Sequence, residues 1–207
     1  MSVVPGIDAI SVSRETREKL TIYARLLERW GRRINLVSRA TLPDRWRRHF
    51  LDSAQLLDLA PPTARSWIDL GSGGGFPGMV VAILVRERGL PIEMTLVEAD
   101  GRKCAFLEAV ARETDTKVTI LPVRIETLQS APHDVVSARA LAPLEALLPL
   151  AAPLCAETGI CLLPKGRTAV SELTAVEDHW TMTVRSIPSR TDRDGVVLAI
   201  SKLGARS

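Results

Sequence analysis

The segment Trp67-Ile68-Asp69-Leu70-Gly71-Ser72-Gly73-Gly74-Gly75-Phe76-Pro77-Gly78 constrains the fold of this chain more than any other. It reads as a β-strand ending in an acid, a glycine loop, and a helix opened by Pro77. Glycines at 71, 73 and 75 let the backbone turn sharply and lie flat against a ligand, because no Cβ intervenes. Proline suits the first helical turn, where its missing N–H has no partner anyway, and Gly89 suits the C-terminal end of the same helix. Beyond Ser66 the pattern alternates. Strands are predicted at 67–70, 92–97, 118–121, 134–137 and 159–163, with helices beginning near Pro77, Gly101, Ile125 and Pro143. Such alternation makes a parallel sheet covered on both faces. Residues 181–187 and 196–201 flank a polar turn and read as a closing antiparallel hairpin.

Upstream of Ser66 the period is helical. Ser13 can cap a helix carrying Leu20, Tyr23, Leu26, Leu27 and Trp30 on one face. A second helix from Pro43-Asp44 places Trp46, Phe50, Ala54 and Leu57 together and ends at Pro61-Pro62. Residues 1–62 therefore read as a helical appendage and 63–207 as the sheet domain. Between Arg14 and Arg48 stand eleven Lys or Arg against four acids, a local +7 on a chain of net +3, which leaves the remainder at −4. A basic arm on a mildly acidic body suits a polyanionic partner, the alternative being an ordinary solvated helix face. Tyr23, Trp30 and Trp46 fall at core spacing, although exposed aromatics would suit base stacking. His49 and Asp52, at i and i+3, share a face as a polar link to the sheet domain or as a substrate lip.

The glycine loop admits two ligands. Gly73, Gly75 and Gly78 satisfy the dinucleotide pattern G-x-G-x-x-G, which sets a pyrophosphate on a helix N-terminus. Asp69, at the strand end, would face that doubly charged group. S-adenosyl-L-methionine carries an ammonium and a sulfonium and no phosphate, so Coulomb attraction favours it as the ligand. A loop that merely packs, without a ligand, is the third reading.

In open α/β sheets ligands sit at the carboxyl ends of strands. There Glu98 can accept bonds from both ribose hydroxyls, or else cap the next helix. Arg124-Ile125-Glu126 can hold an adenine, or else simply start a helix. Arg139, in Ser137-Ala138-Arg139-Ala140, and Lys165, in Pro164-Lys165-Gly166, are surface ion-pair partners or substrate anchors. Two cations beside a cationic cofactor call for an anionic substrate, and RNA phosphate supplies one.

Taken in order, Leu26-Leu27-Glu28-Arg29-Trp30, Asn35-Leu36-Val37-Ser38, Arg48-His49-Phe50-Leu51-Asp52-Ser53, the glycine loop from Asp69, Arg102-Lys103, Arg124-Ile125-Glu126, Ser137-Ala138-Arg139-Ala140 and Lys165-Gly166 resemble the bacterial small-subunit ribosomal RNA methyltransferase G family, also called glucose-inhibited division protein B. The resemblance covers about residues 15–170. It implies a Rossmann-like class I S-adenosylmethionine-dependent methyltransferase fold, with a mostly parallel seven-stranded sheet, a C-terminal antiparallel hairpin and N-terminal helices. It implies methyl transfer to N7 of guanine 527 of 16S ribosomal RNA. Gly71, Phe76, Ile125, Glu126 and Arg139 map onto the family's cofactor-contacting positions. With the residue-level reading, the expected cofactor set is Asp69, Gly71, Gly73, Gly75, Phe76, Glu98, Ile125, Glu126 and Arg139, and the expected catalytic pair is Arg139 and Lys165.

Guanine N7 has a free lone pair. It needs no general base, which fits the lack of a Pro-Cys or Asn-Pro-Pro-Tyr signature at strand four. Methylation of a protein or small molecule and a non-enzymatic RNA-binding scaffold are the alternatives. The partner is 16S ribosomal RNA or the small ribosomal subunit, and a monomer is expected. Three histidines without an acid or cysteine cluster predict no metal site, and Cys104, Cys155 and Cys161 read as buried thiols. No apolar run is long enough to span a bilayer, which predicts a cytoplasmic protein without membrane attachment.

Overall fold

Strands β1 (Ser66–Leu70), β2 (Glu93–Val97), β3 (Thr119–Leu121), β4 (His133–Ala138), β5 (Cys155–Lys165), β6 (Trp180–Pro188) and β7 (Val196–Ala205) form one sheet in the computed structural model, which describes residues 10–206. Their order is β3-β2-β1-β4-β5-β7-β6. The first five strands in that order pair in parallel, while β7 lies antiparallel between β5 and β6. The expected mostly parallel seven-stranded sheet with a C-terminal antiparallel hairpin is therefore the one found. Strand order reverses between β1 and β4, so the crossovers diverge there and leave a crevice at the carboxyl ends.

β1 shows why such strands read as continuous apolar runs. Trp67 turns into one hydrophobic cluster while Ile68 and Leu70 turn into the other, and all three are fully buried. Burying each such side chain is worth roughly 1.5–3 kcal/mol. The first cluster also takes α1 (Arg14–Gly31), α3 (Gly78–Glu87) and α4 (Gly101–Glu113), with Leu20, Tyr23, Met79 and Phe106 at its centre. The second is closed by α5 (Leu144–Ala151) and α6 (Ala169–Val176). The core is thus continuous across residue 62. Ser13 caps α1 by accepting from the Thr16 amide at 3.2 Å, and its hydroxyl donates to Glu87 at 2.8 Å, which ties the start of α1 to the end of α3. No helix among the described residues is long and apolar enough to cross a membrane.

Three segments differ from the sequence expectation. The helix predicted from Pro43-Asp44 is broken into a π-wound stretch (Trp46–Leu51), a single turn α2 (Asp52–Ala54) and a 3-10 turn (Leu57–Leu59). The wider π turn brings His49, as well as Trp46 and Phe50, into the interior, and such turns recur at functional sites. The helix predicted near Ile125 is a single 3-10 turn, Ile125–Thr127; Ile125 and Leu128 pack on the second cluster only in part, too small an apolar face for a longer helix. α6 carried no sequence signal, because only Ala169 and Val176 of its eight residues are buried.

Candidate active site

The carboxyl ends of β1, β2 and β4 open onto a cavity of about 580 Å³, a size usual for small-molecule sites. One wall is the glycine loop. Gly71 and Gly73 have φ of 64° and 55°, a left-handed conformation that glycine adopts freely. The adjoining wall is Glu98, one residue past β2. Its Oε2 accepts from the Gly73 amide and its Oε1 from the Asp100 amide, both at 2.8 Å. Each carboxylate oxygen keeps a further lone pair for a ligand hydroxyl. Ile125 and Glu126 line the same cavity, as do Phe76 and Arg139.

Two expected cofactor residues stand elsewhere. Asp69 does not line the cavity. It is fully buried beneath the loop, accepting from the Ser137 hydroxyl at 2.6 Å and from the Gly78 amide at 3.2 Å. Burial raises its carboxyl to about 6, against the opposing effect of those hydrogen bonds. Asp69 therefore binds β1 to β4 and to the start of α3, and the acids that line the cavity are Glu98 and Glu126. Gly75 is also absent from the wall. Its φ is 86°, and a Cβ there would press on the Tyr23 hydroxyl and come within 2.9 Å of Met79 Cβ. Gly75 is glycine so that α1 can approach the loop.

Phe76 and Arg139 form the floor. The Phe76 ring stacks on Tyr23 at 5.3 Å, meets Phe50 edge-on at 5.2 Å, and lies 5.3 Å from the Arg139 guanidinium. Arg139 donates to the Arg48 carbonyl at 2.9 Å and to Asp52 at 3.3 Å, and its other terminal nitrogen meets His49 Nδ1 at 3.0 Å. Arginine has no acceptor, so His49 Nδ1 must accept. Burial, then the charges of Arg139 and Arg48, depress the imidazole to about 3. The ring is therefore neutral, its proton sits on Nε2, and it donates to Thr41 Oγ1 at 2.8 Å. His49 and Asp52 are the polar link between the arm and the sheet.

A second cavity, of about 610 Å³, adjoins the first and shares Thr41, His49, Arg139, Ala140 and Leu141 with it. Lys165 lines only this second space, its ammonium held at 2.8 Å by both the Ala142 carbonyl and Glu172. The structure thus brings the two expected catalytic cations to one cavity and only Arg139 to both.

A profile of the family described as rRNA small subunit methyltransferase G matches residues 16–194. The chain belongs to that family. A protein of Rhodospirillum centenum named Ribosomal RNA small subunit methyltransferase G is 54% identical over 198 residues, covering 96% of this chain and 89% of its own. One of Paramagnetospirillum magneticum with the same name is 52% identical over 192 residues, covering 93% and 91%. Among solved structures, a SAM-dependent methyltransferase of Aquifex aeolicus superposes with a TM-score of 0.58 at 13% identity, over 76% of this chain and 93% of its own. The fold is that of the S-adenosylmethionine-dependent methyltransferases.

In this member of the rRNA small subunit methyltransferase G family, sequence reasoning missed part of the wall. Asn35, Leu36, Val37 and Ser38 close the first cavity from above. Their stretch was visible as a motif, but the contact was not: a Cβ on Gly74 would come within 2.9 Å of the Leu36 carbonyl. The places of Lys103, Leu141 and the 189–195 turn on the cavity walls were also missed. Tyr23 and Trp46 are buried in the core and Trp30 packs on Phe106 at 5.8 Å, so none of the three offers an open stacking platform.

Proposed function

We propose that this protein transfers a methyl group from S-adenosyl-L-methionine to N7 of guanine 527 in 16S ribosomal RNA, acting as a cytoplasmic monomer. The observation that carries this reading is the junction of two cavities at Arg139, with Glu98 on the wall of one and Lys165 on the wall of the other. When bound, S-adenosyl-L-methionine supplies a methyl carbon made electrophilic by its sulfonium. Glu98 would accept hydrogen bonds from the ribose hydroxyls, Ile125 and Glu126 would hold the adenine, and the Gly71 and Gly73 backbones would let the ligand lie close. Phe76 supports the floor under Arg139.

Guanine N7 would bond the methyl carbon through its lone pair as the carbon–sulfur bond breaks and leaves a neutral thioether. No proton is lost, so the chain's task is placement. Alignment of reacting atoms can supply several kcal/mol of the barrier. Arg139 and Lys165 anchor the target nucleotide by phosphate contact or by bonding guanine O6, which leaves N7 free. The target base leaves its stack to enter the second cavity. Residues 1–62 are the RNA-facing appendage; Arg32, Arg33 and Arg39 ring a hollow of about 510 Å³ beside the Asn35–Ser38 lip. This arrangement supports electrostatic capture of RNA at the mouth of the cofactor cavity.

The test is incubation of the purified protein with labelled S-adenosyl-L-methionine and small subunits lacking the methyl group. Label at N7 of a single guanine, position 527, is the expected result. Label confined to ribosomal protein, or to another base atom, overturns it.

A further inference from the structure

We infer that Asp52 is the positioning residue for Arg139, and that it works by locking the turn of the C-terminal hairpin onto the N-terminal arm. The inference rests on the role given above to Arg139. Asp52 lies in α2, where its Oδ2 accepts from Arg139 at 3.3 Å. Its Oδ1 accepts from Thr191 Oγ1 at 2.6 Å and from Gln55 Nε2 at 2.9 Å. A neighbour three residues on and two donors from distant parts of the chain therefore meet on one carboxylate. Thr191 belongs to the turn between β6 and β7 and is 2% exposed, while the Asp52 and Arg139 side chains are each 16% exposed. Gln55 closes the ring, because its Oε1 accepts from the Arg190 amide at 3.0 Å. Nearer the surface, Arg48 pairs with Asp192 at 3.0 Å across the same gap.

The turn this acid holds is a wall of the second cavity, and the guanidinium it holds is a wall of both. His49 gives Arg139 a neutral acceptor, and Asp52 gives it the charge that fixes its plane. A guanidinium is a rigid fork, so one ionic contact together with the Arg48 carbonyl sets the direction of its remaining donors. Without the carboxylate, Arg139 can swing into either cavity, and the hairpin turn loses its anchor. The C-terminal strands thereby acquire a part in substrate placement that their sequence does not reveal.

The experiment compares Asp52→Asn, Arg139→Ala, the double variant, Thr191→Val and Thr191→Ser as full-length proteins. It measures kcat, KM for unmethylated small subunits, S-adenosyl-L-methionine affinity and thermal unfolding. Asp52→Asn keeps an acceptor for Thr191 but sets an amide against Arg139. The expected result is a fall in kcat on the order of a hundredfold for Asp52→Asn, with KM changed far less. The double variant should be no slower than Arg139→Ala alone, since both remove one device. Thr191→Val should lose part of kcat and Thr191→Ser should regain it. Should Asp52→Asn fail to fold, the Thr191 pair decides: full turnover in the valine variant overturns the inference. Wild-type turnover in Asp52→Asn beside an impaired Arg139→Ala also overturns it, as do losses that multiply in the double variant. Wild-type turnover in Arg139→Ala instead removes the role of Arg139, and the inference with it.

Discussion

The Tyr23 hydroxyl, buried in α1, donates to the Gly74 carbonyl of the cofactor loop. An N-terminal helix thus supports the glycine loop from beneath, and Gly75 lacks a side chain so that the two can touch. Tyr23→Phe leaves a buried carbonyl without its donor, a cost of about 1–3 kcal/mol. The expected outcome is a lower unfolding midpoint and a several-fold loss of S-adenosyl-L-methionine affinity by calorimetry. Gly75→Ala should be worse, because it adds left-handed strain to the collision. An alanine variant as stable as the parent would show that the helix does not hold the loop.

Glu98 gives a direct test of the first cavity. Glu98→Gln removes the charge and leaves one oxygen to serve the Gly73 and Asp100 amides. Hydrogen bonds to charged groups are worth about 1.5–3 kcal/mol, so cofactor affinity should fall roughly tenfold or more. The binding isotherm is the measurement, and an unchanged dissociation constant would remove Glu98 from the site.

Asp69 and His49 pull stability in opposite directions as pH falls. Asp69 titrates near 6 when folded, above its ordinary 3.8. Between about pH 6 and 4 the native state therefore takes up a proton that the unfolded chain does not, and this group's contribution to stability rises. His49 titrates near 3 when folded, below its ordinary 6.5. As pH drops from 6.5 the unfolded chain gains the proton instead, and stability falls. Urea midpoints measured from pH 7 to 4 should show the parent gaining on Asp69→Asn and losing ground to His49→Gln. Parallel profiles would contradict both assignments.

These groups also show how far the sequence can be read. The turn at Gly71 and Gly73 was legible because a left-handed backbone demands glycine locally. Asp69 and Glu98 both lie within a residue of a strand's carboxyl end, and choosing between them needs the facing of each strand. Asp69 shares the Trp67 side of β1 and is sealed under α3, while Glu98 clears the end of β2 and meets the cavity. Arg139 and Lys165 were recognisable from their place at the carboxyl ends of β4 and β5, but their division between two cavities was not. Leu36 over Gly74 and Thr191 on Asp52 are contacts between distant segments, with no local periodicity or spacing to signal them.

The basic lip should govern salt sensitivity more than chemistry. Arg32, Arg33 and Arg39 are exposed beside the cofactor cavity. Each phosphate contact adds about 0.7–0.9 to the slope of log affinity against log salt. Replacing all three with alanine should flatten that slope by about two to three while leaving kcat at saturating RNA unchanged. A slope equal to the parent's would place the RNA on another face.

Arg139 and Lys165 should separate kinetically because their places differ. Arg139 borders both cavities, so Arg139→Ala should weaken cofactor binding and slow turnover together. Lys165 borders the second alone, so Lys165→Ala should lower turnover with cofactor affinity preserved. Removing Lys165 also strands Glu172, whose carboxylate is held below its usual range, against burial, by bonds from Lys165, Thr168 and the Leu144 amide. Lys165→Ala/Glu172→Ala removes both partners and should recover any lost stability without recovering rate. Full methylation by the double variant would show that the lysine serves only to hold α6, and would leave Arg139 as the one member of the pair acting on the target nucleotide.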